Sequence, residues 1–163
     1  MVRIMLPVAM AVLYVAALHG SEITDIRQCM NTSLTDEVLS SFRTNSMVSV
    51  QDCVLLFVKG SVTGDLKTFL SPFSTKSRFA EFGISDLDSI PASLSSEFST
   101  LMSSVSNCVT RVTAYSEVTN NSIVRSDITF YRQGMNYNRY ETVHLGVSQT
   151  NNLWRIKEWD VDE

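Results

Sequence analysis

The sequence predicts an α+β fold, helices first and then an antiparallel sheet twisted over a long helix. Three observations predict it. Apolar residues recur at three- and four-residue steps up to Val105, and after Asn107 the period changes to two. The joints between the later apolar runs, "TNN", "QGMNYNR" and "TNN", are short and rich in turn formers. Short joints dictate antiparallel neighbours, because a parallel crossover needs about a dozen residues or more. Finally, "NNLWRIKEWDVDE" sets two tryptophans among alternating charges, which suits a strand closing a sheet.

The first segment, "MVRIMLPVAMAVLYVAALHG", has Arg3, an apolar run from Ile4 to Leu18, and then small residues. This pattern reads as a secretory signal peptide over residues 1–20, cleaved after Gly20 or after Ala17. The run is shorter than the ~20 apolar residues that span a bilayer. The expected localisation is therefore secreted and extracellular, with no membrane insertion after cleavage. Removal of Arg3 leaves 12 basic and 17 acidic side chains. That balance disfavours nucleic acid and anionic membranes as partners. Two acceptor triplets for N-glycosylation, at Asn31 and Asn120, agree with export.

Residues 21–46 read as an N-terminal extension with one helix, capped by Thr35 and carrying Asp36 and Glu37 in its first turn. A second helix covers about 47–59, with Met47, Val50, Val54, Phe57 and Val58 on one stripe and Gly60 as its C-terminal cap. Thr63 is expected to cap a short helix that buries Leu66, Phe69 and Leu70 and stops at Pro72. Phe79, Phe82 and Gly83 mark a further turn. The serine-rich stretch after Ser85 carries Ile90, Leu94, Phe98, Leu101, Met102 and Val105 at helical spacing, so it is an amphipathic helix and not a linker.

Four strands are expected at 108–118, 122–132, 140–149 and 153–161. Strict alternation sends Val143, Leu145 and Val147 inward and His144 outward; it sends Trp154 and Ile156 to the core side and Trp159 to the charged side. Tyr115, Tyr131, Tyr140 and Trp159 then form a candidate interface, for a homodimer or for another protein. Three cysteines in an oxidising compartment leave one unpaired. The expected disulfide uses Cys53, with either Cys108 or Cys29 as its partner.

The stretch "VSVQDCVLLFVKGSVTGDLKTFL", a long helix, a Gly-Asp-Leu joint and a short helix, resembles the nuclear transport factor 2-like superfamily, and so does "NNLWRIKEWDVD" as a last strand. The resemblance spans about residues 47–163 and implies a cone-shaped roll: N-terminal helices packed on a curved four-stranded antiparallel sheet. Ketosteroid isomerase-like and polyketide cyclase-like relatives share that roll. It implies a cavity between the long helix and the sheet, used in such proteins for acid–base catalysis or for a small ligand; in others the outer sheet face makes a dimer.

No constellation in the residues declares a reaction. His144 faces outward, and Asp52, Asp65 and Asp127 read respectively as a helix-surface acid, a first-turn helix residue and half of a cross-strand charge pair. Cys/His clusters, phosphate loops and nucleophile elbows are absent from the sequence, so no metal or cofactor is expected. The expectation is a secreted, non-catalytic binding module for a small apolar ligand or a protein partner. The alternative is an isomerase- or dehydratase-like enzyme with a carboxylate in the cavity.

Overall fold

The computed structural model describes residues 21–43, 46–74, 79, 81–106, 109–134, 136 and 138–162, with the side chains of 103–106 left aside. The expected signal peptide and Cys108 lie outside the described residues. Among the described residues the architecture is α+β: four α-helices and a 3-10 turn precede a four-stranded antiparallel sheet.

Local chemistry explains each helix. The 3-10 turn Ile26–Cys29 starts on Asp25, whose carboxylate accepts from the Arg27 amide, while Gln28 reaches back to the Asp25 amide. Helix α1 (Asp36–Ser40) is capped by Thr35, as the sequence predicts. Helix α2 (Val50–Thr63) begins at a reciprocal capping box, with Ser49 accepting from the Asp52 amide and Asp52 accepting from the Ser49 amide. It ends one turn later than Gly60, at Gly64 in the left-handed region with φ 68°. Thr63 is therefore the last residue of α2, and Asp65 caps helix α3 (Leu66–Leu70) by accepting from the Lys67 and Thr68 amides. The serine-rich stretch is helix α4 (Ala92–Ser106).

Gly60 serves a purpose other than capping. A Cβ there would lie 2.2 Å from the Phe69 backbone nitrogen and 2.4 Å from its Cα, so α2 and α3 approach through this glycine. Helix α2 is buried almost all round, including Cys53, Val54, Leu55, Phe57 and Val58. Asp52, expected on the helix surface, is buried as well. Its charge is met by Arg43, which donates from Nε at 3.0 Å and from Nη2 at 2.8 Å to one carboxylate oxygen.

The sheet is a meander of β1 (Val109–Asn120), β2 (Ile123–Gln133), β3 (Asn138–Thr150) and β4 (Leu153–Asp162) in that order. Two of its hairpins close through two residues in the left-handed region: Asn121 and Ser122 at φ 46° and 71°, Asn151 and Asn152 at 52° and 62°. Asparagine tolerates this region better than most residues, and the turn matches the strands' own twist.

Simple alternation holds on β2, where Val124, Ser126, Ile128, Phe130 and Arg132 are all buried. It fails on the two outer strands, because each carries a β-bulge: between Val112 and Ala114 on β1, and opposite the step from Gly146 to Val147 on β4. One extra residue reverses every face beyond it. Tyr115 then pairs with Ile128, and Trp159 with Leu145, on the core side. Both were expected to face outward. Trp159 instead stacks 6.0 Å from the Phe57 ring and 6.0 Å from the Phe69 ring. Trp154 packs against the core as expected.

The core joins Phe57, Phe69, Phe73 and Phe98 from the helical half to Phe130, Leu145, Val147 and Ile156 of the sheet. The segment read as an extension belongs to it through Ile23, Ile26, Leu34, Leu39 and Phe42. That segment also covers half of one sheet edge: the Asn31 amide donates to the Val112 carbonyl at 2.7 Å, and Leu34 to Thr110 at 2.9 Å. At the opposite edge, Trp154 and Ile156 donate to the Met47 and Pro72 carbonyls, both at 2.8 Å.

Candidate binding surface

The outer face of the sheet carries the polar residues that alternation leaves over, and register sorts them into cross-strand rows. One row reads Ser116, Asp127, His144, Asp160; the next reads Val118, Arg125, Gly146, Glu158. Because Gly146 has no side chain, the second row dips between Arg125 and Glu158; a Cβ there would touch the Glu158 Cβ at 3.3 Å. The dip is the floor of an open depression of about 740 Å3, lined also by Ile123, His144, Trp159 and Asp162. Its rim includes exposed apolar side chains, Val118 at 61% and Ile123 at 43% exposure.

His144 is held on this surface through both ring nitrogens. Its Nδ1 lies 2.7 Å from Asp127 Oδ1 and its Nε2 lies 3.0 Å from Asp162 Oδ2. Arg125 donates from Nε to the same Asp127 oxygen at 2.9 Å. The Arg125 Nη2 also stands 2.9 Å from His144 Nδ1. A protonated ring donates to both carboxylates, so Nδ1 is committed to Asp127 and the arginine is a like-charged neighbour. The hydrogen bond to Asp127 raises the His144 pKa from its ordinary 6.5, against burial and with help from Asp162. Burial works to raise the Asp127 pKa, yet the hydrogen bonds from His144 and Arg125 hold it below the ordinary 3.8.

The signs give a pH window. The histidine contributes stability that is full below its unfolded pKa and is lost as pH rises through its raised value. The aspartate contributes stability present above its unfolded pKa and lost as pH falls through its lowered value. The stability difference between the native chain and a His144→Gln variant is therefore expected to be largest between about pH 4 and pH 6.5 and to shrink on the alkaline side. Urea titrations at several pH values check this; a difference that grows above neutrality removes the charged clasp.

Tyr131 and Tyr140 share the outer face, with ring centroids 5.1 Å apart and Tyr140 63% exposed. Tyr115, by contrast, lies on the inner face. Its hydroxyl donates to Glu117 at 2.6 Å and accepts from Gln51 at 3.1 Å, Gln51 also donates to Glu117, and Arg27 covers the ring at 4.7 Å. Burial, and then the bond to Glu117, push the phenol well above its usual range. The four residues expected as one interface are thus divided between two faces.

The carboxylates considered for catalysis are each engaged. Asp52 holds Arg43, Asp65 caps α3, and Asp127 holds His144 and Arg125. Cys29 and Cys53 are buried free thiols, and no disulfide joins them. Burial first, with Asp25 adding for Cys29 and Asp52 for Cys53, pushes both pKa values up to about 12, so neither forms a thiolate near neutrality. Asn31 and Asn120 are exposed. Among the described residues, no group of three His, Cys, Asp or Glu is placed to hold a metal ion, and no helix is long and apolar enough to cross a membrane.

Some features of the two faces escaped the sequence. The outward position of His144 beside Asp127 and Arg125 follows from alternation, but Asp162 joins them only through the bulged register of β4. Arg132 is buried on the inner face, bonded to Glu141 at 3.1 Å and packed 5.1 Å over Phe130. Its strand position alone marks it as inward; only its charge argued otherwise. No family model matches the chain, and no curated protein or solved structure matches it.

Proposed function

We infer that the chain is an exported, non-catalytic binding module whose outer sheet face, around Gly146 and His144, receives a protein partner. The helices and sheet would form the roll that presents this face. The observation that carries the reading is the depression itself: a glycine floor, a histidine clamped by two carboxylates, and exposed Val118 and Ile123 at the rim. Exposed apolar side chains next to oriented polar groups are the composition of a protein contact. The interior supports the same reading, since Phe57, Phe69, Phe73 and Trp159 pack upon one another between the helices and the sheet. Engagement of Asp52, Asp65 and Asp127 in structural bonds favours binding over acid–base catalysis.

A photo-crosslinking residue at Ser148, beside the depression, is expected to capture a discrete species from the fluid into which the chain is exported. The same residue at Ser40, on exposed α1, is not. Gly146→Leu, which fills the floor, should abolish capture at Ser148 while leaving the folded state intact. Equal capture from both positions, or capture indifferent to Gly146→Leu, would reject the outer face.

A further inference from the structure

We propose that the free half of the β1 edge pairs antiparallel with the same segment of a second copy, on a two-fold axis through Val118. The N-terminal segment covers this edge only as far as Val112. Beyond the bulge, Ser116–Asn120 are exposed on both faces of the sheet. The direction of the free backbone groups follows from chirality. The carbonyls of Thr110 and Val112, both with buried side chains, point to the edge, where they accept from Leu34 and Asn31. On one strand of L-residues, all side chains of one face share one hydrogen-bonding direction. The bulge moves that face to Tyr115, Glu117 and Thr119. Their N–H and C=O groups therefore point outward, and among the described residues none of these groups is bonded along that edge.

An axis through Val118 pairs Glu117 with Thr119 of the second copy, and Thr119 with its Glu117, each as a hydrogen-bonded pair with two N–H···O=C bonds. Val118 then faces its own counterpart as a non-hydrogen-bonded pair, the geometry in which side chains lie closest. Ser116 faces Asn120. No charge opposes a like charge. The other open edge fails the same test. On β4 the outward groups belong to Trp159 and Val161, so the equivalent axis passes through Asp160. It would set Asp160 against Asp160 and Glu158 against Asp162, acid upon acid at every pair on the outer face. A β1-to-β4 contact is head-to-tail and gives a ring or a filament, not a two-fold pair. Side-chain chemistry thus leaves one edge self-complementary and guards the other.

The test is sedimentation of the full chain across a concentration series, with hydrogen exchange at both ends of the series. Expected are a monomer–dimer equilibrium and amides of Glu117 and Thr119 that exchange more slowly as concentration rises. V118K, which opposes two cations, should weaken the dimer about tenfold. T119P removes an edge N–H from each copy without touching the β1–β2 ladder, and should weaken it about thirtyfold. V161P on the β4 edge should leave association unchanged. A monomer throughout, protection independent of concentration, open-ended assembly, or a dimer lost with V161P and kept with T119P would each overturn the proposal.

Discussion

Gly60→Ala is expected to lower folding stability by about 3 kcal/mol. Helix propensity argues the opposite sign, since alanine in a helix interior is favoured over glycine by about 1 kcal/mol. The close approach decides. The added Cβ would sit 2.2 Å from the Phe69 nitrogen, 2.4 Å from its Cα and 2.7 Å from its Cβ, and the first two are backbone atoms that cannot rotate away. Relief requires α3 to move as a unit, and α3 is tied by Asp65 at its start and by Phe69 and Leu70 in the core. Gly83→Ala is the matched control: its φ of 66° strains an alanine, but nothing lies within 4 Å of the added Cβ. It should cost only about 1 kcal/mol. Urea midpoints followed by tryptophan fluorescence give both values. If Gly60→Ala is no worse than Gly83→Ala, the helices do not meet through that glycine.

Arg43→Ala is expected to cost a similar amount, about 3 kcal/mol, because it strands a charge. The Asp52 side chain is 0% exposed, and without Arg43 its only remaining hydrogen bond among the described residues is the one from the Ser49 amide at 2.9 Å. The reverse change leaves a different orphan. Asp52→Asn keeps the amide contact and abandons an arginine that is 33% exposed, which water can solvate in part. It should cost less, about 1 to 2 kcal/mol. The order of the two variants is the test, read from denaturant titrations at neutral pH. Equal losses would mean that the stranded carboxylate costs no more than the abandoned arginine, so that burial of the charge does not set the loss. The pair also joins two parts of the chain, since Arg43 donates its amide to Ile23 while Asp52 sits in the first turn of α2.

Much of the fold was legible in local pattern. The switch of period after Asn107 marked the passage from helices to sheet, and Asn-rich joints marked two of the three hairpins, because asparagine accepts the left-handed region they need. Thr35 at a helix start and serines on the wet face of α4 were equally local. Half of the outer surface followed as well: His144, Asp127 and Arg125 lie on one face by alternation alone.

The rest was not local. Whether Gly60 caps a helix or admits a neighbouring backbone depends on where Phe69 comes to rest, 9 positions further along the chain. Asp52 looks like a surface acid until Arg43 arrives to neutralise it. Tyr115 and Trp159 read as outward by a strict period of two, and two bulges turn them into the core, where Trp159 completes an aromatic cluster with Phe57 and Phe69. By itself the sequence determined element types, their order and the hairpin turns, because each depends on the torsional and hydrogen-bonding preferences of a few adjacent residues. Only the tertiary structure decided strand register beyond the bulges, the burial of a charge and the place of a glycine. Those outcomes balance the energies of segments that meet through space, and no window along the chain contains both partners.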